Sequence, residues 1–520
     1  MALTLNSAAA LLERHHLLRE VIHGGRWSRT AAALPGADEP FASLTYDTRK
    51  VAPGSMLVCK GRFRPEFLDG CDDRGLAGYV AETDMSAHTA APGLIVDDAR
   101  KALSLLAAEF YGRPQDQLTL IGITGTKGKT TTAYFTQAVL NTHSDGRCAL
   151  FSSVDNCLDG HTYVESDLTT PESLDAFRMM REAVDNGMKY LVMEVSSQAY
   201  KVNRVYGLTF DVGAFLNISP DHISDIEHPS LEDYLRCKRL IVDNSRALVL
   251  NARTNHADLL REDAATAGVP VTEFALLDAA PADDDAPATA VAWPTGDGHD
   301  AYAMRLDSHD LGGYRLALAG DFNYENALAA VAIAHAAGVP ADEAGALHAM
   351  EPTRVSGRME HFRDAASDTD IIVDYAHNHV SVKALLDFVD ARYAGRDPIV
   401  TLVAGSAGDK AFDRRREIVE AAQDRIARFV FTAEDTDTEP FEDICRDMRS
   451  HVTNPRVAAA TIIDRTAAIA DALDEARAHP ERVDVVLVIG KGDERWIKDR
   501  NRHVPYEGDD RVVERLLAAK

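Results

Sequence analysis

No stretch of this chain approaches the ~20 consecutive apolar residues that a helix needs to cross a bilayer. The first apolar segment is interrupted by Arg14, His15, His16 and Arg19, so it lacks the basic-then-apolar pattern of a secretory leader and none is expected. Cysteine is sparse. Cys59, Cys71, Cys148, Cys157, Cys237 and Cys445 are scattered without a CxxC pair, which argues against a zinc ribbon or a disulfide framework and fits a reducing cytoplasm. Positive charge is also short: 55 Lys and Arg against 82 Asp and Glu leave a net charge of −27. That balance opposes non-specific binding to nucleic acid. An anionic substrate would have to be met by a few local cations or by metal ions. No repeat of fixed short period is present. No heptad or exposed apolar helix stands out, so a monomer is expected.

What is present is a phosphate-binding pattern. The apolar run Leu118 to Gly122 reads as a buried strand, and Ala133 to Leu140 is helix-compatible. Between them lies Ile123-Thr124-Gly125-Thr126-Lys127-Gly128-Lys129-Thr130-Thr131-Thr132. Backbone N–H groups of such a turn, and the positive end of the helix after it, face an anion. Lys129 would reach terminal phosphates and Thr130 would offer a hydroxyl to magnesium. Only two residues separate Gly125 from Gly128, where the general P-loop has four, so this is a distinct variant.

The length allows roughly three domains at ~150 residues each. A first unit, 1–116, opens with a predicted helix from Ser7 to Ile22. A second, 117–352, alternates apolar strands (Tyr190 to Val195, Asp211 to Asn217, Ala247 to Asn251) with helical stretches, the mark of a mainly parallel sheet covered by helices. A third, 353–520, restarts the alternation at Ile371 to Val373, Ile399 to Ala404, Phe429 to Phe431 and Val485 to Ile489. The fold class is therefore α/β in three domains. Ala279 to Asp300, rich in Asp, Pro and Ala, reads as an exposed loop or insertion.

Ligands of such sheets gather at the carboxyl ends of strands. Glu194 ends one strand and His222 follows another, so both are candidate magnesium ligands; a surface Glu and a structural His are the plainer alternatives. The phosphate loop, with Glu194-Val195-Ser196-Ser197, Asp221-His222, Asn323-Tyr324-Glu325-Asn326-Ala327, Gly357-Arg358-Met359-Glu360, Asp374-Tyr375-Ala376-His377 and Gly490-Lys491-Gly492 in that order, resembles the Mur ligases across most of the chain. The resemblance is strongest to members that add the third residue of the peptidoglycan stem peptide.

The resemblance implies an N-terminal UDP-binding domain, a central ATPase domain and a Rossmann-like C-terminal domain. It implies an amide ligase in which ATP phosphorylates the D-Glu carboxylate of UDP-N-acetylmuramoyl-L-alanyl-D-glutamate and an amino acid displaces the phosphate. ATP would be held by Gly125, Thr126, Lys127, Gly128, Lys129, Thr130, Thr131, Asn323, Asn326, Arg358, Asp374 and His377. Magnesium, in two ions, would be held by Thr130, Glu194, His222 and Lys238, the last matching the family lysine that is carbamylated. Lys129, Glu194, His222, Lys238 and Arg358 would form the catalytic set. Read without the family, Arg358 could be a linker arginine and Lys238 a solvated helix lysine.

Asp47-Thr48-Arg49-Lys50 resembles the family element that contacts the uridine nucleotide, assigning Thr48 and Arg49 to the precursor. Thr169, Thr170, Ser196 and Arg204 match positions that hold its muramoyl-dipeptide part. Family members that add meso-diaminopimelate carry Asp-Asn-Pro-Arg, whose arginine pairs with the distal carboxylate. The matching stretch is Glu434-Asp435-Thr436-Asp437. An acid at that place suits a distal ammonium, so L-lysine is expected, with L-ornithine close behind. Arg414, Arg415, Asp435, Asp437 and Glu494 are the expected amino-acid-binding residues, and Asp409-Lys410 adds charge nearby. A basic helix start is the alternative for Arg414 to Arg416. Competing functions are a folylpolyglutamate-synthetase-like ligase, which should lack the N-terminal unit, and an inactive regulator that binds nucleotide or precursor.

Overall fold

In the computed structural model, residues 2–221, 223–224, 227–281, 288–295, 301–364, 367–409 and 412–518 are described. They form three sheets and a separate hairpin. The N-terminal sheet has the order Arg26–Ser28, Leu18–His23, Gly93–Val96, Leu76–Ala81, Ser55–Val58, Ser43–Thr45. Successive residues of its strands face opposite clusters: Met56, Val58, Leu94 and Val96 one way, Leu57 and Ile95 the other.

The predicted helix Ser7 to Ile22 is corrected. The helix is Leu5–Arg14, started by a capping box between Thr4 and Ser7. It stops at His15, and His16 turns the chain through φ 56°. Leu18–His23 is then a strand antiparallel to Gly93–Val96. Apolar spacing is helical through Leu12, but beyond the two histidines Val21 and Ile22 bury on opposite faces of the sheet. That is a strand arrangement, which β-branched residues favour.

The central sheet has 11 strands, ordered Tyr163–Glu165, Asp155–Cys157, Cys148–Phe151, Tyr190–Glu194, Thr119–Thr124, Val212–Phe215, Leu248–Asn251, Val271–Leu276, Ala290–Pro294, Tyr302–Leu306, His309–Tyr314. It is parallel from Cys148–Phe151 to Ala290–Pro294 and antiparallel at both edges. The expectation of a loop from Ala279 to Asp300 is corrected in part. Ala290–Pro294 is a strand with Ala290, Val291 and Ala292 buried, paired on both sides; residues 282–287 and 296–300 lie outside the described residues. Sheet partners on either side outweigh the Pro- and Asp-rich composition of the flanks.

The third sheet runs Glu360–Asp364, Thr369–Asp374, Asp484–Ile489, Ile399–Ala404, Arg428–Phe431, Ala458–Thr461, parallel apart from its first pair. The hairpin Trp496–Asp499/Arg502–Pro505 stands beside it. Among the described residues no helix is long and apolar enough to cross a membrane.

Candidate active site

The strand Thr119–Thr124 lies between Tyr190–Glu194 and Val212–Phe215, so three carboxyl ends meet at one place. The chain leaves it through Gly125 and enters the helix Lys129–His143 at Gly128, whose φ of +83° suits glycine. The turn is clamped from the next strand. Thr126 N donates to Asn217 O at 3.0 Å, Lys127 N to Asn217 Oδ1 at 2.9 Å, and Asn217 Nδ2 to Lys127 O at 3.1 Å. Ser219 N donates to Thr126 Oγ1 at 3.1 Å. A Cβ on Gly128 would stand 2.2 Å from Asn326 Oδ1. Gly128→Ala should therefore destabilise the fold by roughly 2 kcal/mol or more, through both strain and overlap. A denaturation midpoint equal to that of the parent chain would contradict this clamp.

Two lysines converge on one carbonyl. Lys129 Nζ donates to Gly125 O at 3.0 Å and Thr126 O at 3.2 Å, and Lys238 Nζ donates to Gly125 O at 2.7 Å. Lys238 projects from the helix Leu231–Asp243, is 1% exposed, and lies 4.8 Å from the Tyr234 ring centre. Burial, helped by the charge of Lys129, holds its pKa well below that of an ordinary lysine. Burial also lowers Lys129. Glu194 is buried and its Oε1 accepts from Ser153 N at 2.7 Å, while Ser153 Oγ lies 2.9 Å from Thr130 Oγ1. His222 lies outside the described residues, as does Lys410.

A cavity of about 210 Å³ is lined by Lys129, Lys238, Thr169, Ser196 and Arg204 among others, joining the phosphate loop to the residues expected to hold the muramoyl-dipeptide. Thr170 Oγ1 donates to Glu194 O at 2.9 Å and accepts from Ser196 N at 3.0 Å. Arg204 donates to Thr170 O at 3.2 Å and to Glu172 Oε1 at 2.9 Å. Lys60, from the N-terminal domain, also pairs with Glu172, and Tyr46 OH donates to Asp175 at 2.8 Å. Thr48 and Arg49 form a separate group at the end of the N-terminal sheet, where Arg49 is exposed and folds back onto Asp47. Lys60 and Asn217 were not singled out by sequence reasoning; their partners are 112 and 90 residues distant, so no local pattern reports them.

The C-terminal domain reaches the phosphate loop through Asp221. Its carboxylate accepts from Arg414 Nη2 at 2.6 Å and Asn378 Nδ2 at 3.0 Å, with Lys127 Nζ at 3.3 Å. Lys127 Nζ also donates to His377 Nε2 at 3.1 Å. Burial and the two nearby cations hold His377 neutral, with Nδ1 donating to Tyr375 O at 2.7 Å. Burial brings Lys127 to about 8. Asp374 accepts from Met359 N and Ala376 N, both at 2.8 Å, and burial raises its pKa. Arg358 stacks 4.2 Å over the Tyr375 ring and is felt electrostatically by Lys129. Asn326 packs against Gly128 and donates to Asn323 Oδ1 at 3.2 Å.

Within the C-terminal domain, Lys491 is 1% exposed, donates to Asp435 Oδ1 at 2.9 Å, pairs with Glu494 and lies 4.3 Å from the Trp496 ring. Tyr375 OH donates to Glu494 Oε1 at 2.8 Å. Asp437, at φ 54°, pairs with Lys498. Burial raises the neighbouring Glu434 carboxyl to about 7. The hydrogen bonds of Arg414 and Arg415 go elsewhere, although the Arg414 charge is felt at Glu434. Arg414 reaches Asp221, and Arg415 is buried against Glu439 (2.6 Å) and Asp447 (3.1 Å). A fully buried pair, Arg465–Asp509 at 2.7 Å, supports the loop: Asp509 accepts from Gly492 N, and Arg465 donates to Ala433 O and Ile489 O.

Residues 123–334 match the Mur ligase middle domain, and residues 357–492 match the Mur ligase, glutamate ligase domain. The chain is 65% identical to a UDP-N-acetylmuramyl-tripeptide synthetase of Bifidobacterium longum, over 99% of this chain and 100% of the relative. It is 38% identical to a UDP-N-acetylmuramoyl-L-alanyl-D-glutamate--L-lysine ligase of Enterococcus faecalis over the whole of both chains. Among solved structures, a UDP-N-acetylmuramoyl-L-alanyl-D-glutamate--2,6-diaminopimelate ligase aligns with TM-score 0.64 at 21% identity, over 100% of this chain and 99% of its own. A Mycobacterium tuberculosis folylpolyglutamate synthase, solved with ADP and AMPPCP, aligns with TM-score 0.54 at 18% identity, over 74% of this chain and 91% of its own.

Proposed function

The chain belongs to the Mur ligase family, ATP-dependent ligases of peptidoglycan synthesis, and from that premise we propose that it is the cytoplasmic, monomeric enzyme that joins L-lysine to UDP-N-acetylmuramoyl-L-alanyl-D-glutamate. The D-Glu carboxylate attacks the γ-phosphorus of ATP, giving an acyl phosphate and ADP. The α-amine of lysine then attacks the acyl carbon, and phosphate leaves with the bonding pair while the amine loses its proton. We take 1–116, 117–352 and 353–520 as the precursor-binding, ATP-binding and amino-acid-binding domains, limits that keep each sheet whole.

Two anions must approach each other in a chain of net charge −27. Lys129 would hold the terminal phosphates from the turn Gly125 to Thr131, with Arg358 meeting the γ-phosphate from the C-terminal domain and Asn323, Asn326, Asp374 and His377 bordering the nucleotide. Thr169, Thr170, Ser196 and Arg204 would hold the dipeptide part, and Thr48 and Arg49 the uridine nucleotide. Buried Glu194, the hydroxyl of Thr130 and a carbamylated Lys238 make an oxygen-rich donor set of the kind magnesium prefers; His222 completes the proposed set. When bound, magnesium supplies positive charge between the two anions. The observation that carries this reading is a cavity where Lys129 and Lys238 meet Thr169, Ser196 and Arg204.

The choice of L-lysine is supported by Asp437 in place of a family arginine and by the carboxylates Asp435 and Glu494 nearby. The test offers the purified protein ATP, magnesium and the UDP-muramoyl-dipeptide with L-lysine, L-ornithine, meso-diaminopimelate or L-glutamate in turn. Phosphate release should require all components and be fastest with L-lysine. A preference for meso-diaminopimelate would overturn the assignment.

A further inference from the structure

Lys498 sits on the strand Trp496–Asp499 of the C-terminal hairpin. Three hydrogen bonds tie this hairpin to the segment Asp435 to Asp437. Thr436 N donates to Lys498 O at 2.8 Å, Lys498 N to Asp435 Oδ1 at 2.9 Å, and Asn501 N to Asp437 O at 2.6 Å. The register this sets places the Lys498 side chain beside Asp437, and its ammonium pairs with Asp437 Oδ1. One residue away in space, Lys491 spans Asp435 and Glu494. The three carboxylates expected to receive a cationic amino acid are therefore paired with two ammoniums of the chain itself.

The two lysines differ in how firmly they are held. Lys491 is 1% exposed, lies between two carboxylates and packs on an indole face. The buried group here is the ammonium itself, since Asp435 and Glu494 are 21% and 26% exposed. The Lys498 side chain is 28% exposed, so its ammonium can swing to water on a flexible four-carbon stem, and Asp437, 15% exposed, is then left to the incoming ammonium. Lys498 also carries the same chemical group, a primary ammonium on an unbranched chain, as the distal end of L-lysine.

We propose that Lys498 is a specificity-determining residue whose ammonium holds, on Asp437, the place of the distal ammonium of the amino-acid substrate and is displaced by it on binding. This rests on the reading of the chain as an L-lysine-adding ligase. The exchange swaps one ammonium for another, so it is open to a cationic side chain of matching reach. A distal group without positive charge gives Asp437 nothing in return for the pair it loses. Apparent affinity is reduced by the fraction of protein in which Lys498 covers its carboxylate.

The test measures KM for L-lysine with the full chain, ATP, magnesium and UDP-muramoyl-dipeptide, comparing Lys498→Met, Asp437→Asn and the double variant. Lys498→Met should lower KM by about twofold to fivefold, the range of one part-exposed ion pair. Asp437→Asn should raise KM, and in that background Lys498→Met should have no effect. An unchanged or raised KM in Lys498→Met, with Asp437→Asn still impaired, overturns the placeholder and leaves the ligase reading standing. Wild-type turnover of meso-diaminopimelate that Lys498→Met abolishes would make Lys498 a carboxylate receptor and overturn it too. Absence of ligation with any amino acid in the wild-type chain defeats the ligase reading, and this inference falls with it.

Discussion

Lys129→Ala should lower the rate of ligation by roughly a thousandfold, the scale of removing one preorganised charge from a phosphoryl-transfer site. The side chain rises from the first residue of the helix Lys129–His143, and its ammonium rests on the carbonyls of Gly125 and Thr126. Those contacts hold the charge over the turn where a terminal phosphate would lie, and they require no rearrangement of the backbone to release it. Gly125 and Thr126 are buried, but Gly125 O keeps its bond from Lys238 Nζ, so the melting temperature should fall only modestly. The substitution also removes the nearest cation acting on Lys238. Lys129→Arg should recover little, because a planar guanidinium cannot occupy the point position of an ammonium. The measurement is phosphate release in parallel with incorporation of labelled L-lysine. Retention of more than about a tenth of the parent rate would remove the phosphate-loop assignment, since no charge-stabilising role on this scale tolerates such a loss.

The parts of this architecture that were legible are those written in adjacent residues. The strand–turn–helix around Gly125 to Thr130 is local: an apolar run, two glycines and a helix start suffice to specify it. The strand Ile399–Ala404 was bounded to the residue because it is an apolar run in a sheet buried on both faces. What escaped was set by distant partners. The helix expected through Ile22 ends at Arg14 because Leu18–His23 has a strand to pair with at Gly93–Val96. Ala290–Pro294 became a strand for the same reason.

The same distinction runs through the site. Lys129 and Gly128 follow from spacing, whereas Asp221–Arg414 joins residues 193 apart and Lys498–Asp437 residues 61 apart. Arg414 and Arg415 are neighbours with the same charge, yet one crosses to the central domain and the other is buried against Glu439 and Asp447. Adjacent helix residues point about 100° apart, so sequence proximity could not assign both to one ligand.

Lys238→Ala should be the second severe loss, about a hundredfold or more in ligation rate, and its recovery by small anions is the diagnostic part. A lysine ammonium 1% exposed, 2.7 Å from a backbone carbonyl and beside a second lysine, is an unfavourable arrangement to maintain for structure alone. The proposed carbamate would resolve it. The neutral amine would attack the carbon of carbon dioxide and lose a proton, replacing the buried cation with an anion beside Lys129 and the proposed magnesium ligands. Truncation to alanine deletes that anion and leaves room where it stood. Acetate or formate should then restore part of the activity, with saturation at millimolar concentrations, while chloride at equal ionic strength should not. For the parent chain, removal of dissolved carbon dioxide should slow turnover and bicarbonate should restore it. Acidification should work in the same direction as removal, because protonation of the amine withdraws the nucleophile and releases carbon dioxide from the carbamate. Full activity of Lys238→Ala without any added carboxylate would reject the carbamate outright. A deep loss that no carboxylate repairs, in a protein that still melts normally, would assign the role to the amine itself.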